Sequence, residues 1–235
     1  MPANMPHKGL AVLAGRLDPS VWGRFPIRNM LIGVDGEMLL HGYGNHAIAA
    51  GDPRFANAGA DGTLAVTLGE VTLNAAGTDN ATAVLASNGL VKLAGNRFVC
   101  QCTFKMDDVA DSSFLIGFAQ SATDPILDGG LDVEASAFGL FKKDDGASLY
   151  FIEKLATGSS TPTDTGVDIV ADTPIVLKMQ SNSAGNIEIY LDGTKVLTRP
   201  YPGVASGRLV AAVKVGTADA ALLNLGSAIA FGVAE

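Results

Sequence analysis

The sequence predicts an all-β protein, an antiparallel β-sandwich preceded by an extended N-terminal arm. Three observations predict it. From residue 60 onward Val, Ile, Thr and Phe recur in alternation, and helix-period amphipathic runs are scarce. Turn sequences rich in Gly, Asn, Asp and Ser separate these runs, in a chain with 28 glycines. The start of the chain is different. Residues 1–45 carry Lys8, Arg16, Arg24 and Arg28 against Asp18, Asp35 and Glu37, while the remainder holds 12 basic and 21 acidic residues. All three histidines (His7, His41, His46) and the only tryptophan, Trp22, lie in the first 46 positions. This composition shift divides the chain into an arm, 1–45, and a sandwich domain, 46–235.

Strands are expected, in order, at 63–68, 70–74, 82–86, 90–93, 97–106, 113–119, 135–142, 147–153, 166–170, 174–181, 186–191, 194–198, 207–215 and 221–233. The turns between them are marked by "SNG" at 87–89, "KKDDGAS" at 142–148, "SNSAGN" at 181–186 and "LDGTK" at 191–195. Asp-Gly between two strands is a strong hairpin signal, because both turn positions take positive φ. In 97–106 the even positions are Phe98, Cys100, Cys102, Phe104 and Met106; the odd ones are mostly polar. That alternation is a half-buried strand, with both cysteines facing the core. Residues two apart on a strand have Cα atoms roughly 6.5–7 Å apart, at or beyond the reach of a disulfide. The pair therefore reads as buried free thiols acting as small hydrophobes. The same alternation puts Ile175, Leu177 and Met179 on one face, then Ile187, Ile189 and Leu191, then Leu209, Ala211, Val213 and Val215. Each sheet is expected to bury one face and leave the other wet or facing a partner.

The hairpin run "DTPIVLKMQSNSAGNIEIYLDGTKVLT" (172–198) resembles the central hairpins of concanavalin A-like, or laminin-G-like, jelly rolls. "FVCQCTFKMDDVADSSFLIGFA" and "SAFGLFKKDDGASLYFIEK" look like the strands before them, and "GRLVAAVKVGTADAALLNLGSAIAFGVA" like the closing pair. The resemblance covers about residues 90–235 and implies an antiparallel jelly-roll sandwich. Within that family, hydrolases carry E-x-D-x-x-E, since retaining chemistry needs two carboxyls about 5–5.5 Å apart. The nearest match here, "LDVEASAF", has Asp132 and Glu134 without the third acid. Legume-type lectins use acids, Asn and His for their metals, and no histidine follows position 46.

Other chemistry is excluded by motif. The chain has no G-x-S-x-G, Walker-type loop, H-E-x-x-H or dinucleotide glycine pattern, so no enzymatic activity and no cofactor are expected. Asp124, Asp128, Asp132 and Glu134 in "DPILDGGLDVE" could offer oxygen ligands to calcium, but the spacing is not that of an EF-hand, and a plain acidic surface loop is the simpler reading. "MDDVAD" (Asp107, Asp108, Asp111) reads the same way. A net charge of −8 argues against nucleic acid. No run of about 18 apolar residues suits a membrane span, and the start lacks a secretory signal pattern.

The arm mixes Pro and Gly with Trp22, Phe25, Ile27, Met30, Leu31, Ile32, Leu39 and Leu40, too apolar for a free tail and too scattered for a core. An acidic jelly roll with a sticky arm and no catalytic set resembles the decoration (cement) proteins of tailed-phage capsids. That resemblance implies a virion surface location after synthesis in the host cytoplasm, with major-capsid subunits and copies of itself, as dimers or trimers, for partners. Trp22, Arg24, Phe25 and Arg28 are the expected contact residues, being hot-spot types; alternatively Trp22 and Phe25 cap the chain's own core. The other functional expectation is a carbohydrate- or receptor-binding module of a head or tail fibre, for which Tyr150, Tyr190 and Tyr201 are the aromatic candidates.

Overall fold

The computed structural model describes residues 41–42, 55–58, 62–67, 70–75, 78–87, 90–94, 97–127, 132–144, 146–156, 158–216, 220–225 and 228–234. These hold nineteen strands and no helix. The strands are β1 (His41–Gly42), β2 (Phe55–Ala58), β3 (Gly62–Thr67), β4 (Glu70–Ala75), β5 (Thr82–Ser87), β6 (Val91–Lys92), β7 (Arg97–Met106), β8 (Ser112–Ala119), β9 (Ile126–Leu127) and β10 (Asp132–Val133). After them come β11 (Ala137–Lys142), β12 (Ser148–Lys154), β13 (Thr161–Asp168), β14 (Ile175–Ser181), β15 (Asn186–Leu191), β16 (Thr194–Pro200), β17 (Ser206–Val215), β18 (Ala221–Leu225) and β19 (Ala228–Ala234).

Every pairing is antiparallel. The first sheet runs β16-β15-β14-β7-β18-β4-β3, and the second β13-β12-β11-β8-β17-β5-β2. β7 has β14 on one flank and both β18 and β19 in succession on the other, while β19 also pairs β1. The range expected as a single strand, 221–233, holds two, β18 and β19, with different partners on β7.

The alternation that defined the strands builds the core between the sheets. Phe98, Cys100, Cys102, Phe104 and Met106 of β7 meet Phe114, Ile116 and Phe118 of β8 and Phe138 and Leu140 of β11. Phe98 packs edge-on against Phe118 at 5.1 Å between ring centroids, and Phe104 lies 5.1 Å from Phe114. Cys100 and Cys102 are free and buried, as expected. Burial pushes the Cys100 thiol up to about 12; burial, and then the neighbouring Cys100, raise Cys102 well above the ordinary thiol range. Neither is a thiolate at neutral pH, so neither is a redox nucleophile. The Asp192–Gly193 turn joins β15 to β16 with both residues at positive φ (49° and 79°), the geometry its sequence demanded.

The first sheet keeps one polar face, but the second departs from expectation. β5, β8 and β11 are buried along their whole length, on both faces. Their outer face is apolar, with Val84, Leu115, Phe141, Ile152, Val210 and Ala212 in one buried cluster with Ile126 and Val133. The short β9–β10 pair supplies those last two side chains and lies against β8, β17 and β12. Polar ties hold it there. Lys214 of β17 bonds Asp124 Oδ1 at 3.2 Å and the Ile126 carbonyl at 2.9 Å, and Lys154 of β12 pairs with Asp132 at 2.6 Å. Under this cover Gly117 and Gly139 face each other in register. A Cβ on Gly139 would stand 2.4 Å from the Ile116 carbonyl oxygen, so the strands approach there as only glycine permits.

β13 and β16 edge the two sheets on the same side. Each carries a proline, Pro162 and Pro200, and β16 adds Lys195 and Arg199. Arg199 reaches Glu153 of the other sheet at 3.4 Å. Such residues discourage further strands from adding to an edge.

Candidate functional site

With Ile175, Leu177, Met179, Ile187, Ile189 and Leu191 in the core, the intervening residues of β14 and β15 must face outward. Register then sets Gln101, Lys178, Tyr190 and Lys195 in one row across β7, β14, β15 and β16, and Gln180 beside Glu188 in the next. Glu188 is the centre of the group. Its Oε2 accepts from Gln180 Nε2 at 2.8 Å and from the Tyr190 hydroxyl at 3.0 Å. Its Oε1 accepts from Asn182 Nδ2 at 3.4 Å and lies 3.5 Å from Lys195 Nζ. The Gln180 bond, followed by those from Tyr190 and Asn182 and the Lys195 charge, lowers the Glu188 pKa despite partial burial. Lys178 Nζ sits 4.0 Å from the centre of the Tyr190 ring. The result is an ionised carboxylate held by three hydrogen bonds and a lysine charge, with the amides of Gln101, Gln180 and Asn182, the Tyr190 phenol, the buried Lys178 ammonium and the exposed Lys195 ammonium on the same face.

The other tyrosines do not extend this face. Tyr150 has Lys143 Nζ over its ring at 5.1 Å, on the second sheet. Tyr201 is not a turn-surface platform. It packs on Phe98 and Phe138 (centroids 6.4 and 5.9 Å), its hydroxyl donates to the Val204 carbonyl, and burial pushes its pKa to about 12. The three tyrosines taken as a possible platform thus lie in three separate settings.

The acidic loops serve the backbone and nearby lysines. Asp124 pairs with Lys214. Burial works against the Asp132 carboxylate, yet bonds from Lys154, Ser160 and the Val133 amide lower its pKa. Glu134 accepts from the Ser121 amide; burial, with a smaller push from Asp124, raises its pKa. In "MDDVAD", Asp107 accepts from the Leu222 amide at 2.7 Å and Asp108 from the Ala110 amide at 2.9 Å. Among the described residues no three His, Cys, Asp or Glu side chains converge as a metal site. Asp128 and the arm candidates Trp22, Arg24, Phe25 and Arg28 lie outside the described residues.

Sequence reading placed Tyr190 on a polar strand face but missed its partners. The available signal was the pairing of "K-x-Q" in β14 with "E-x-Y" in β15 across a hairpin of defined register, which brings Gln180 opposite Glu188.

No family model matches the chain, and no curated protein matches it. Solved structures do. The carbohydrate recognition domain of Emp47p superposes with TM-score 0.59 at 12% identity, over 83% of this chain and 94% of that one. The Emp46p carbohydrate recognition domain, in metal-free form, gives 0.50 at 10% identity over 73% and 85%. A sialidase gives 0.51 at 12% identity, over 76% of this chain but 16% of the other. The fold is a lectin-like jelly roll. At these identities the likeness establishes architecture alone, and it includes both a recognition domain and part of an enzyme.

Proposed function

We propose that this protein is a non-catalytic carbohydrate-recognition module and that the Glu188 face of the first sheet takes the glycan. The observation that carries the reading is the convergence of Glu188, Gln180, Asn182 and Tyr190 on one wet sheet face. Glycan hydroxyls both donate and accept. The Glu188 carboxylate can exchange an amide donor for a ligand hydroxyl, and the Gln180 or Asn182 amide so released supplies the complementary donor and acceptor. The Tyr190 ring carries the Lys178 ammonium on one side, so it contributes to the site through its hydroxyl on Glu188. The likeness of fold to carbohydrate recognition domains supports the same reading. The non-catalytic part rests on Asp132 and Glu134, the pair nearest to a hydrolase pattern, being turned to Lys154 and the Ser121 amide.

A glycan array followed by titration calorimetry on the best binder tests this. Glu188→Gln weakens binding about tenfold, the loss expected for a charged hydrogen-bond acceptor. Binding also fades as pH falls through the Glu188 pKa, which lies below the usual glutamate range. Unchanged affinity in Glu188→Gln and Tyr190→Ala removes the site.

The capsid-decoration reading rests on residues 1–45, where Trp22, Arg24, Phe25 and Arg28 are the proposed contacts with major-capsid subunits or a second copy. Sedimentation of full-length and 46–235 protein with undecorated capsids separates the two readings. Coating by the full chain alone favours decoration; indifference of both forms leaves glycan recognition.

A further inference from the structure

The outer face of the first sheet holds a second polar cluster, on β18, β4 and the far end of β7. Lys105 of β7, Asn224 of β18 and Thr72 of β4 stand in one row, and Leu222 and Asn74 form the next. Their neighbours Val71, Leu73, Leu223 and Leu225 fill the core, so these side chains belong to the outer face. Asn224 is 8% exposed. Its Oδ1 is buried without a hydrogen-bond partner, and so is Oδ1 of Asn74 on the adjacent strand. Buried carbonyl oxygens are ordinarily paired, and an unpaired one carries the full cost of lost hydration. Two of them, diagonal neighbours across one strand pair, match a ligand that presents two donors close together. Adjacent hydroxyls on a sugar ring are such donors, and the Thr72 hydroxyl lies in the same patch.

The two clusters are connected by register. From Tyr190 to Asn224 is three strand steps and, along β7, the four residues from Gln101 to Lys105, which together span roughly 20 Å. Thr103 of β7 and Val176 of β14 lie between them, side by side. We propose that the ligand is a linear oligosaccharide lying diagonally across the first sheet, with one end on Glu188 and Tyr190 and the other on Asn224 and Asn74. This rests on the glycan reading of the Glu188 face and adds to it a second subsite and a length requirement. A single sugar reaches only one cluster.

The test is calorimetry with cello-, malto- and xylo-oligosaccharides from disaccharide to hexasaccharide, on wild type, Glu188→Gln, Asn224→Leu and Asn74→Leu. Affinity is expected to rise with length and then level off. Asn224→Leu weakens the longest oligomers about tenfold and leaves disaccharides unchanged, whereas Glu188→Gln weakens both. Thermal melts accompany each variant; Asn224→Leu melts no lower than wild type, because it removes an unpaired buried oxygen. Should leucine prevent folding, Asn224→Ala also removes the carbonyl oxygen and is read the same way. Length-independent affinity, or long-chain binding that survives both asparagine replacements while Glu188→Gln abolishes it, overturns the second subsite and leaves the glycan reading standing. An isolated ordered water on Asn224 gives that same result. Failure of wild type to bind any of these oligomers or any array glycan overturns both.

Discussion

Replacing Gly139 with alanine tests the close approach of β8 and β11. The added Cβ would stand 2.4 Å from the Ile116 carbonyl oxygen and 2.8 Å from the Gly117 Cα, both backbone atoms that no rotamer change can move. β8 is held on its other side by β17, so the strand must shift with its whole neighbourhood. Overpacking of this kind costs about 3 kcal/mol, the upper end of the ordinary range. In a chain of this size that lowers the melting midpoint by about 6–12 °C. Gly117→Ala meets the Phe138 carbonyl oxygen at 2.3 Å and behaves alike. The two alanines press on the same gap, so the separation that admits one partly admits the other. The double variant is less destabilised than the sum of the singles, by about 1 kcal/mol. Gly146→Ala is the control, since nothing lies within 4 Å of its added Cβ. The assay is urea unfolding followed by circular dichroism, with calorimetric melts alongside. Gly139→Ala within about 0.5 kcal/mol of wild type, the scatter of ordinary surface changes, refutes the argument.

Three further outcomes follow from the same structure. Glu134 has a raised pKa in the folded state, so its contribution is fully favourable below the unfolded value of 4.5 and is lost as pH rises through the folded one. Glu134→Gln keeps the acceptor oxygen, is therefore more stable than wild type at pH 7 by up to about 1 kcal/mol, and matches wild type at pH 4 in parallel melts. Cys100 and Cys102 leave a thiol reagent unreacted in native buffer and titrate as two thiols in denaturant; prompt native labelling contradicts their burial. Tyr201→Phe removes the bond to the Val204 carbonyl while keeping the ring on Phe98 and Phe138, and costs about 1 kcal/mol by denaturant titration.

Alternation made much of the sandwich legible. The strand expected at 97–106 is β7 to the residue, and 186–191 is β15, because there one face is core and the other is wet. Where both faces are buried the pattern fades, yet β5, β8 and β11 were still found by their β-branched and aromatic content. The failures have different causes. β9 and β10 are two residues each, too short to show a period. β13 was expected at 166–170 but runs Thr161–Asp168 through a Ser/Thr-rich stretch. An edge strand there needs only backbone pairing to β12, with Thr165 alone buried, so its composition resembles a loop. The Glu188 cluster was invisible for a related reason. Gln180 and Glu188 are eight residues apart, and only the hairpin register brings them face to face. The arm residues were chosen by composition, which selects sticky side chains without locating what they touch.

The proline-bearing edges bear on how many copies can work side by side. If the first sheet binds glycan as proposed, several copies acting on one tethered chain or surface bind more strongly than one. Crowded copies can then meet along β13 and β16, the borders of the two sheets. With Pro162 and Pro200 each lacking an amide hydrogen, the neighbouring borders lack the regular ladder needed to fuse. Density then raises avidity without seeding a shared sheet.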